Sequence, residues 1–190
     1  MRTIKAKSIY LAGALLAGCS ASIDDYQNNT PALHLDQFFN GRLEAYGMVQ
    51  DFRGRVIRRF RADIHATWEG NQGVLDEQFF FDDGEHQQRC WKLTKDGNHY
   101  TGVAGDVIGT AEGVTRGNAL NWHYTLAVTV NGKERHLQLN DWLYLIDEDN
   151  LLNRATMSKF GIPVGKITLS IHRLKTAEPK NLLSVCDLKH

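Results

Sequence analysis

The sequence predicts an all-β domain, an antiparallel up-and-down barrel of about eight to ten strands, with a β-sandwich as the alternative. Three observations carry this reading. Apolar residues recur at every second position over long stretches, the period of a half-buried strand. Asp-Gly and Asn-Gly pairs and other turn residues separate those stretches at intervals of about 8–12 residues. No segment between strands is long enough for the crossover helix that parallel pairing requires.

The chain has 190 residues and opens with Met1-Arg2-Thr3-Ile4-Lys5-Ala6-Lys7 and the apolar run Ile9 to Leu16. A charged start followed by a short apolar run reads as a signal peptide over residues 1–18, too short for the roughly 20 apolar residues of a membrane span. The run ends in Leu16-Ala17-Gly18-Cys19, which resembles the lipobox of bacterial lipoproteins. That resemblance implies cleavage before Cys19 and acylation of its thiol, and several acyl chains at one residue give durable anchoring. Ser20 in place of an aspartate implies, in a Gram-negative host, transport to the outer membrane, with the protein held at its periplasmic face.

Removal of residues 1–18 leaves 172, a length that suits one domain. Arg2, Lys5 and Lys7 depart with them, so the balance of 22 basic and 22 acidic residues shifts to a slight acidic excess. No basic face is implied, and nucleic acid is not expected as a partner. Residues 19–32 are polar, with Asp24, Asp25, Gln27, Asn28 and Asn29, and read as a lipidated tether. The barrel is expected over 33–176 and a C-terminal tail over 177–190. Besides Cys19 there are two cysteines, Cys90 and Cys186. In an oxidising periplasm the pair reads as a disulfide; the alternative is two separate buried thiols.

Within the domain, His34 to Phe39 suits one helical turn. Val56, Arg58, Phe60, Ala62, Ile64, Ala66 and Trp68 then fall on one strand face. Leu120, Trp122, Tyr124, Leu126, Val128 and Val130 do the same, as do Leu137, Leu139, Leu143 and Leu145, and Ile167, Leu169 and Ile171. The glycine-rich stretch Tyr100 to Gly113 lacks the lysine and following helix of a phosphate loop and reads as two short, bent strands. Asn131-Gly132 is the plainest hairpin turn.

The run Phe38-Phe39-Asn40-Gly41-Arg42-Leu43-Glu44-Ala45-Tyr46-Gly47, with Asp51-Phe52-Arg53-Gly54 and Arg58-Arg59-Phe60, resembles a bacterial lipoprotein family known as domain of unknown function 3833. The resemblance covers about Leu33 to Leu174 and implies a lipocalin- or calycin-like barrel, but no activity and no catalytic residues. Phe39-Asn40-Gly41-Arg42-Leu43 lacks the tryptophan of the lipocalin Gly-x-Trp signature. A Cys90–Cys186 link between a strand and the C-terminal tail is similar to a lipocalin habit.

No catalytic set has diagnostic spacing, no cofactor is implied, and the eight histidines show no metal-ligand spacing. His65, His123 and His172 share polar strand faces. Two acids stand out. Asp141 interrupts the face of Leu137, Leu139, Leu143 and Leu145, and Glu77 interrupts that of Leu75, Phe79 and Phe81. An inward carboxylate must be paired or meet a polar ligand group. Arg58 and Arg154 are the candidate partners, and Trp122 and Tyr124 the candidate apolar walls. The aromatic supply suits either a ligand cavity or a filled core.

The expected function is that of an outer-membrane-anchored periplasmic lipoprotein that binds or carries a hydrophobic ligand, a fatty acid or lipid. A structural or assembly lipoprotein that binds a protein partner is the alternative. A lipid-modifying enzyme ranks third, because no nucleophile–base pair is readable.

Overall fold

The computed structural model describes residues 20–130, 132–175 and 186. The expected signal peptide and lipidated Cys19 lie outside the described residues, as does the C-terminal tail apart from Cys186.

Ten strands follow in order: β1 (Gly41–Asp51), β2 (Val56–Glu69), β3 (Gln72–Phe81), β4 (His86–Asp96), β5 (His99–Val103), β6 (Val107–Arg116), β7 (Ala119–Val130), β8 (Lys133–Leu145), β9 (Asn150–Lys159) and β10 (Ile162–Arg173). Each pairs antiparallel with its neighbour in sequence, and β1 also pairs with β10, from Leu43 opposite Arg173 to Asp51 opposite Gly165. That last ladder closes the sheet on itself and excludes the sandwich. Closure also removes the exposed edges that a ten-strand meander would otherwise present.

The alternation in the sequence is realised in the burial. On β2, Phe60, Ala62, Ile64 and Ala66 are buried while His65 and Thr67 are exposed. The glycine-rich stretch supplies β5 and β6, and the β6–β7 register shifts between Ile108 and Glu112 around Gly109, whose φ is +74°. The β9–β10 turn is Phe160-Gly161 with φ of 52° and 78°, the two positive values that a tight two-residue hairpin demands.

Because the strands alternate in direction, the turns fall into two sets. The β2–β3, β4–β5, β6–β7 and β8–β9 turns share one end with the helix α1 (Leu35–Phe38). This short helix is a plug. Leu33, Leu35, Phe38 and Phe39 are all buried, the Trp68 indole N–H donates to the Phe39 carbonyl at 2.9 Å, and Lys95 Nζ pairs with Asp36 at 2.7 Å. The other five turns surround an opening.

Within the segment expected as a lipidated tether, residues 22–26 form a turn that packs on the barrel. Ser22 and Asp25 form a capping box at a 3₁₀ turn over Ile23–Tyr26. Tyr26 packs on Trp142 and Tyr144, with ring centroids 5.7 and 5.5 Å away, and Asp24 pairs with Arg116 at 3.3 Å. The polar composition concealed one aromatic anchor and a Ser-x-x-Asp cap, which together fix the turn.

Candidate ligand-binding site

The barrel is hollow. Between the α1 plug and the open end lies a cavity of about 950 Å³, near the upper end of common ligand-pocket sizes. Leu75, Phe79, Leu93, Leu126, Leu137 and Ile171 supply much of its apolar wall, and Ala45, Ala62 and Ala155 leave the room. Where the short β5 passes, the wall is thin. Trp122 packs against Gly102 and Gly113, where an added Cβ would come within 3.1 and 2.4 Å of its ring. Trp91 bridges inward to Trp122 and Tyr124, with centroids 5.9 and 5.5 Å away.

Set into this wall is one polar cluster. Glu77 on β3 stands directly opposite Arg89 on β4. Arg89 Nε and Nη2 donate to the Asp106 carboxylate at 2.7–3.0 Å, in a forked pairing that holds the guanidinium plane. Its Nη1 lies 3.7 Å from Glu77 Oε2, and that oxygen is buried with no hydrogen-bond partner among the described residues. On β8, Asp141 sits opposite Trp122 of β7 and Ala155 of β9. Its carboxylate accepts a hydrogen bond from Asn153 Nδ2 and a long one, 3.5 Å, from the Tyr124 hydroxyl.

Burial governs the electrostatics. Desolvation pushes Glu77 from 4.5 to about 7, against the pull of Arg89 and the Trp91 indole N–H and with further pushes from Asp106 and Asp141. Desolvation likewise pushes Asp141 from 3.8 to about 6, partly offset by hydrogen bonds from Asn153 and Tyr124. Burial opposes charge on Arg89, but Glu77 and Asp106 outweigh it and keep the guanidinium charged. Burial and the nearby Asp141 hold the Tyr124 phenol well above its usual range.

The structure thus gathers Glu77, Asp141, Trp122 and Tyr124 into one cavity, but neither expected arginine partners the acids. Arg58 lines the mouth, where it pairs with Asp83 at 2.7 Å and Glu85 at 2.5 Å and lies over the Phe81 ring at 3.5 Å. Arg154 faces outward and is exposed. The register that sets Asp141 opposite Ala155 turns Asn153 and Ala155 inward and so turns Arg154 out. Arg89, Asp106 and Asn153 were missed. Arg89 lies two residues before Trp91 and four before Leu93, so the β4 alternation carried a signal for it. Asn153 likewise sits between the buried Leu151 and Ala155. Asp106, in a turn, had no such signal.

The mouth carries an apolar rim. Phe160 is 89% exposed, Phe52 70%, Ile162 67% and Ile57 62%. On the outer wall, Cys90 and Cys186 are joined in a disulfide with Cα atoms 5.3 Å apart. His65 and His123 are exposed on outer faces. Among the described residues, no group of three or more His, Cys, Asp and Glu is placed to hold a metal ion, and no helix is long and apolar enough to cross a membrane.

A closed antiparallel barrel, plugged at one end and open to an apolar cavity at the other, is a calycin-like barrel. The chain belongs to the family described as Protein of unknown function (DUF3833), which it matches over residues 13–173. No curated protein matches it. Among solved structures it is similar to an S-type phycobiliprotein lyase, CPES, from Guillardia theta, at 10% identity and a TM-score of 0.56, covering 76% of this chain and 94% of that one. It is also similar to a protein of unknown function from the DUF3598 family of Nostoc punctiforme, at 14% identity and a TM-score of 0.54. There the alignment covers 76% of this chain and 50% of the other, so this chain spans half of that protein's length. At such identities the likeness is one of fold.

Proposed function

We propose that this protein is a lipoprotein, anchored through Cys19 at the periplasmic face of the outer membrane, that binds a mostly apolar small molecule of lipid size inside its barrel. The observation that carries the reading is the cavity: about 950 Å³, apolar along most of its wall, with a single buried polar cluster to orient what enters. The apolar rim at Phe52, Ile57, Phe160 and Ile162 gives a hydrophobic molecule a path to the opening. A barrel of similar fold is a phycobiliprotein lyase, which makes catalysis the natural competitor. No serine, cysteine or histidine lines this cavity among the described residues, and binding is the simpler use of it.

The test is native mass spectrometry of the protein carrying Cys19→Ser, in detergent-free buffer, with solvent extraction of what co-purifies and titration with the neutral dye Nile red. A co-purifying apolar molecule, or one-to-one dye binding abolished by a cavity-filling Leu137→Trp substitution, supports the reading. Empty protein that leaves the dye dark would sink it in favour of a lipoprotein that binds a protein partner at the rim. The anchor is tested separately. Wild-type protein should partition with outer-membrane fractions and Cys19→Ser protein with the soluble one.

A further inference from the structure

We infer that the barrel selects a ligand whose apolar body carries a hydrogen-bond-donating, positively charged head such as an amine, rather than a carboxylate; this rests on the cavity being the binding site. The argument is one of charge and of unmet hydrogen bonds. The cluster holds three carboxylates, Glu77, Asp106 and Asp141, and one guanidinium, Arg89. A fatty-acid carboxylate would need a cation with donors to spare. Arg89 is already shared between two of these acids, with Nε and Nη2 forked onto Asp106 and Nη1 3.7 Å from Glu77, so a ligand carboxylate would have to compete with acids already in place. The other cations in the lining belong to the open end: Arg58 is held there by Asp83 and Glu85, and Arg135 and Lys159 lie at the open-end termini of β8 and β9, away from the cluster.

Acceptors, by contrast, are in surplus. Glu77 lines the cavity, and its buried Oε2 has no hydrogen-bond partner among the described residues; a small side-chain shift would bring that acceptor to a ligand's N–H. The Tyr124 hydroxyl reaches Asp141 only at 3.5 Å, so that acid too has room for a closer donor. An ammonium entering here would supply both the missing donors and the missing positive charge. A carboxylate would add negative charge to a site that already sets three acids against one guanidinium and where water screens little. Burial raises the proton affinities of Glu77 and Asp141, and a bound ammonium would draw both acids toward the charged form.

The experiment uses three probes that share one chain and differ only in the head: decylamine, decanol and decanoate, each below its micelle-forming concentration. Each displaces Nile red from the protein carrying Cys19→Ser at neutral pH. The amine should displace the dye at a concentration at least about tenfold below the acid, with the alcohol between. In Glu77→Gln, and more so in Glu77→Gln with Asp141→Asn, the amine's advantage should shrink at least about fivefold and decanoate should improve. Both changes keep side-chain shape, and near-ultraviolet circular dichroism checks the fold; the single variant stands if the double one unfolds. Decanoate binding as well as decylamine, or an amine preference unmoved by Glu77→Gln, overturns the inference while the cavity reading survives. If Nile red itself does not bind, the cavity reading fails and takes the inference with it.

Discussion

Arg89 faces Glu77 directly across the β3–β4 ladder, yet its Nη1 stops 3.7 Å from Glu77 Oε2, near enough for charge and too far for a hydrogen bond. The guanidinium is drawn instead to Asp106, which holds it from the β5–β6 turn. One cation therefore serves two acids unequally, and Glu77 Oε2 keeps no hydrogen-bond partner among the described residues. Most of the site's expected behaviour follows from this imbalance.

Removing the cation should expose its structural weight. Arg89→Met keeps much of the side chain's bulk and leaves Glu77 and Asp106 without a counter-charge. Breaking a buried pair by deleting one partner costs about 3–5 kcal/mol, because the other charge stays buried. Urea denaturation at pH 7 should show a loss of that order. The loss should be smaller at pH 5, where the orphaned Glu77 takes up a proton. Equal losses at both pH values would mean that Arg89 acts through packing alone.

The pH dependence of the native protein carries the same signature. Glu77 rises from 4.5 to about 7 on folding and Asp141 from 3.8 to about 6, both through burial. An acid that holds its proton more tightly when folded contributes stability that is whole below its unfolded value and is lost as pH rises through its folded value. Stability should therefore fall between about pH 4 and pH 7. Glu77→Gln should flatten that fall and exceed wild type by up to about 3 kcal/mol at pH 8, with little difference at pH 4. The surface acids work on the other side. Asp82, held low by the Arg59 backbone N–H, and Asp83, held low by the Arg58 guanidinium, lose their contribution only as pH drops through and below the usual carboxylate range. Thermal melts from pH 3 to 9 separate the two windows.

The barrel was largely legible in the sequence because strand alternation and turn residues are local signals. Phe60, Ala62, Ile64 and Ala66 announce their face by spacing alone, and Phe160-Gly161 and Asn131-Gly132 mark their turns. The site was half legible. Asp141 and Glu77 betray themselves as charges on apolar faces, and Trp122 and Tyr124 by position. Their surroundings did not, because partners inside a closed barrel are set by register between strands rather than by any one strand. β9 shows the difficulty. Leu151 and Leu152 are both apolar, so the pattern does not say which points inward. The β8–β9 pairing decides for Leu151, and with it for Asn153 over Arg154. The cavity was not legible either, since the same aromatics would describe a filled core.

The Cys90–Cys186 bridge fixes Cys186 to the outer face of β4, between the inward-pointing Arg89 and Trp91. The bridged residues are 96 apart in sequence, and in the chain-entropy view a loop of that order restricts the unfolded chain by about 4–5 kcal/mol. Reduction, or the Cys90→Ser and Cys186→Ser pair, should lower stability by up to that amount in urea melts. Ligand binding should survive at temperatures where the reduced barrel remains folded, because the bridge lies outside the cavity. Maleimide labelling checks the premise: neither thiol should react before reduction, and both should react afterwards.

The thin wall beneath Trp122 is a further place where sequence, packing and site meet. Gly113 has no positive φ to explain it; the residue is small because a Cβ there would meet Trp122 Cε3 at 2.4 Å and the Asn121 carbonyl oxygen at 2.8 Å. The backbone contact cannot be relieved by a rotamer change, so Gly113→Ala must shift the β6–β7 ladder or tilt the indole. Overpacking of this kind costs about 1–3 kcal/mol. Tilting Trp122 would also disturb Trp91 and the residues around Asp141, so Nile red affinity should fall along with stability. Gly105→Ala is the control, since a Cβ at Gly105 meets nothing within 4 Å. It should leave both quantities unchanged, and a Gly113→Ala protein that melts and binds like wild type would show that the wall yields more easily than its packing implies.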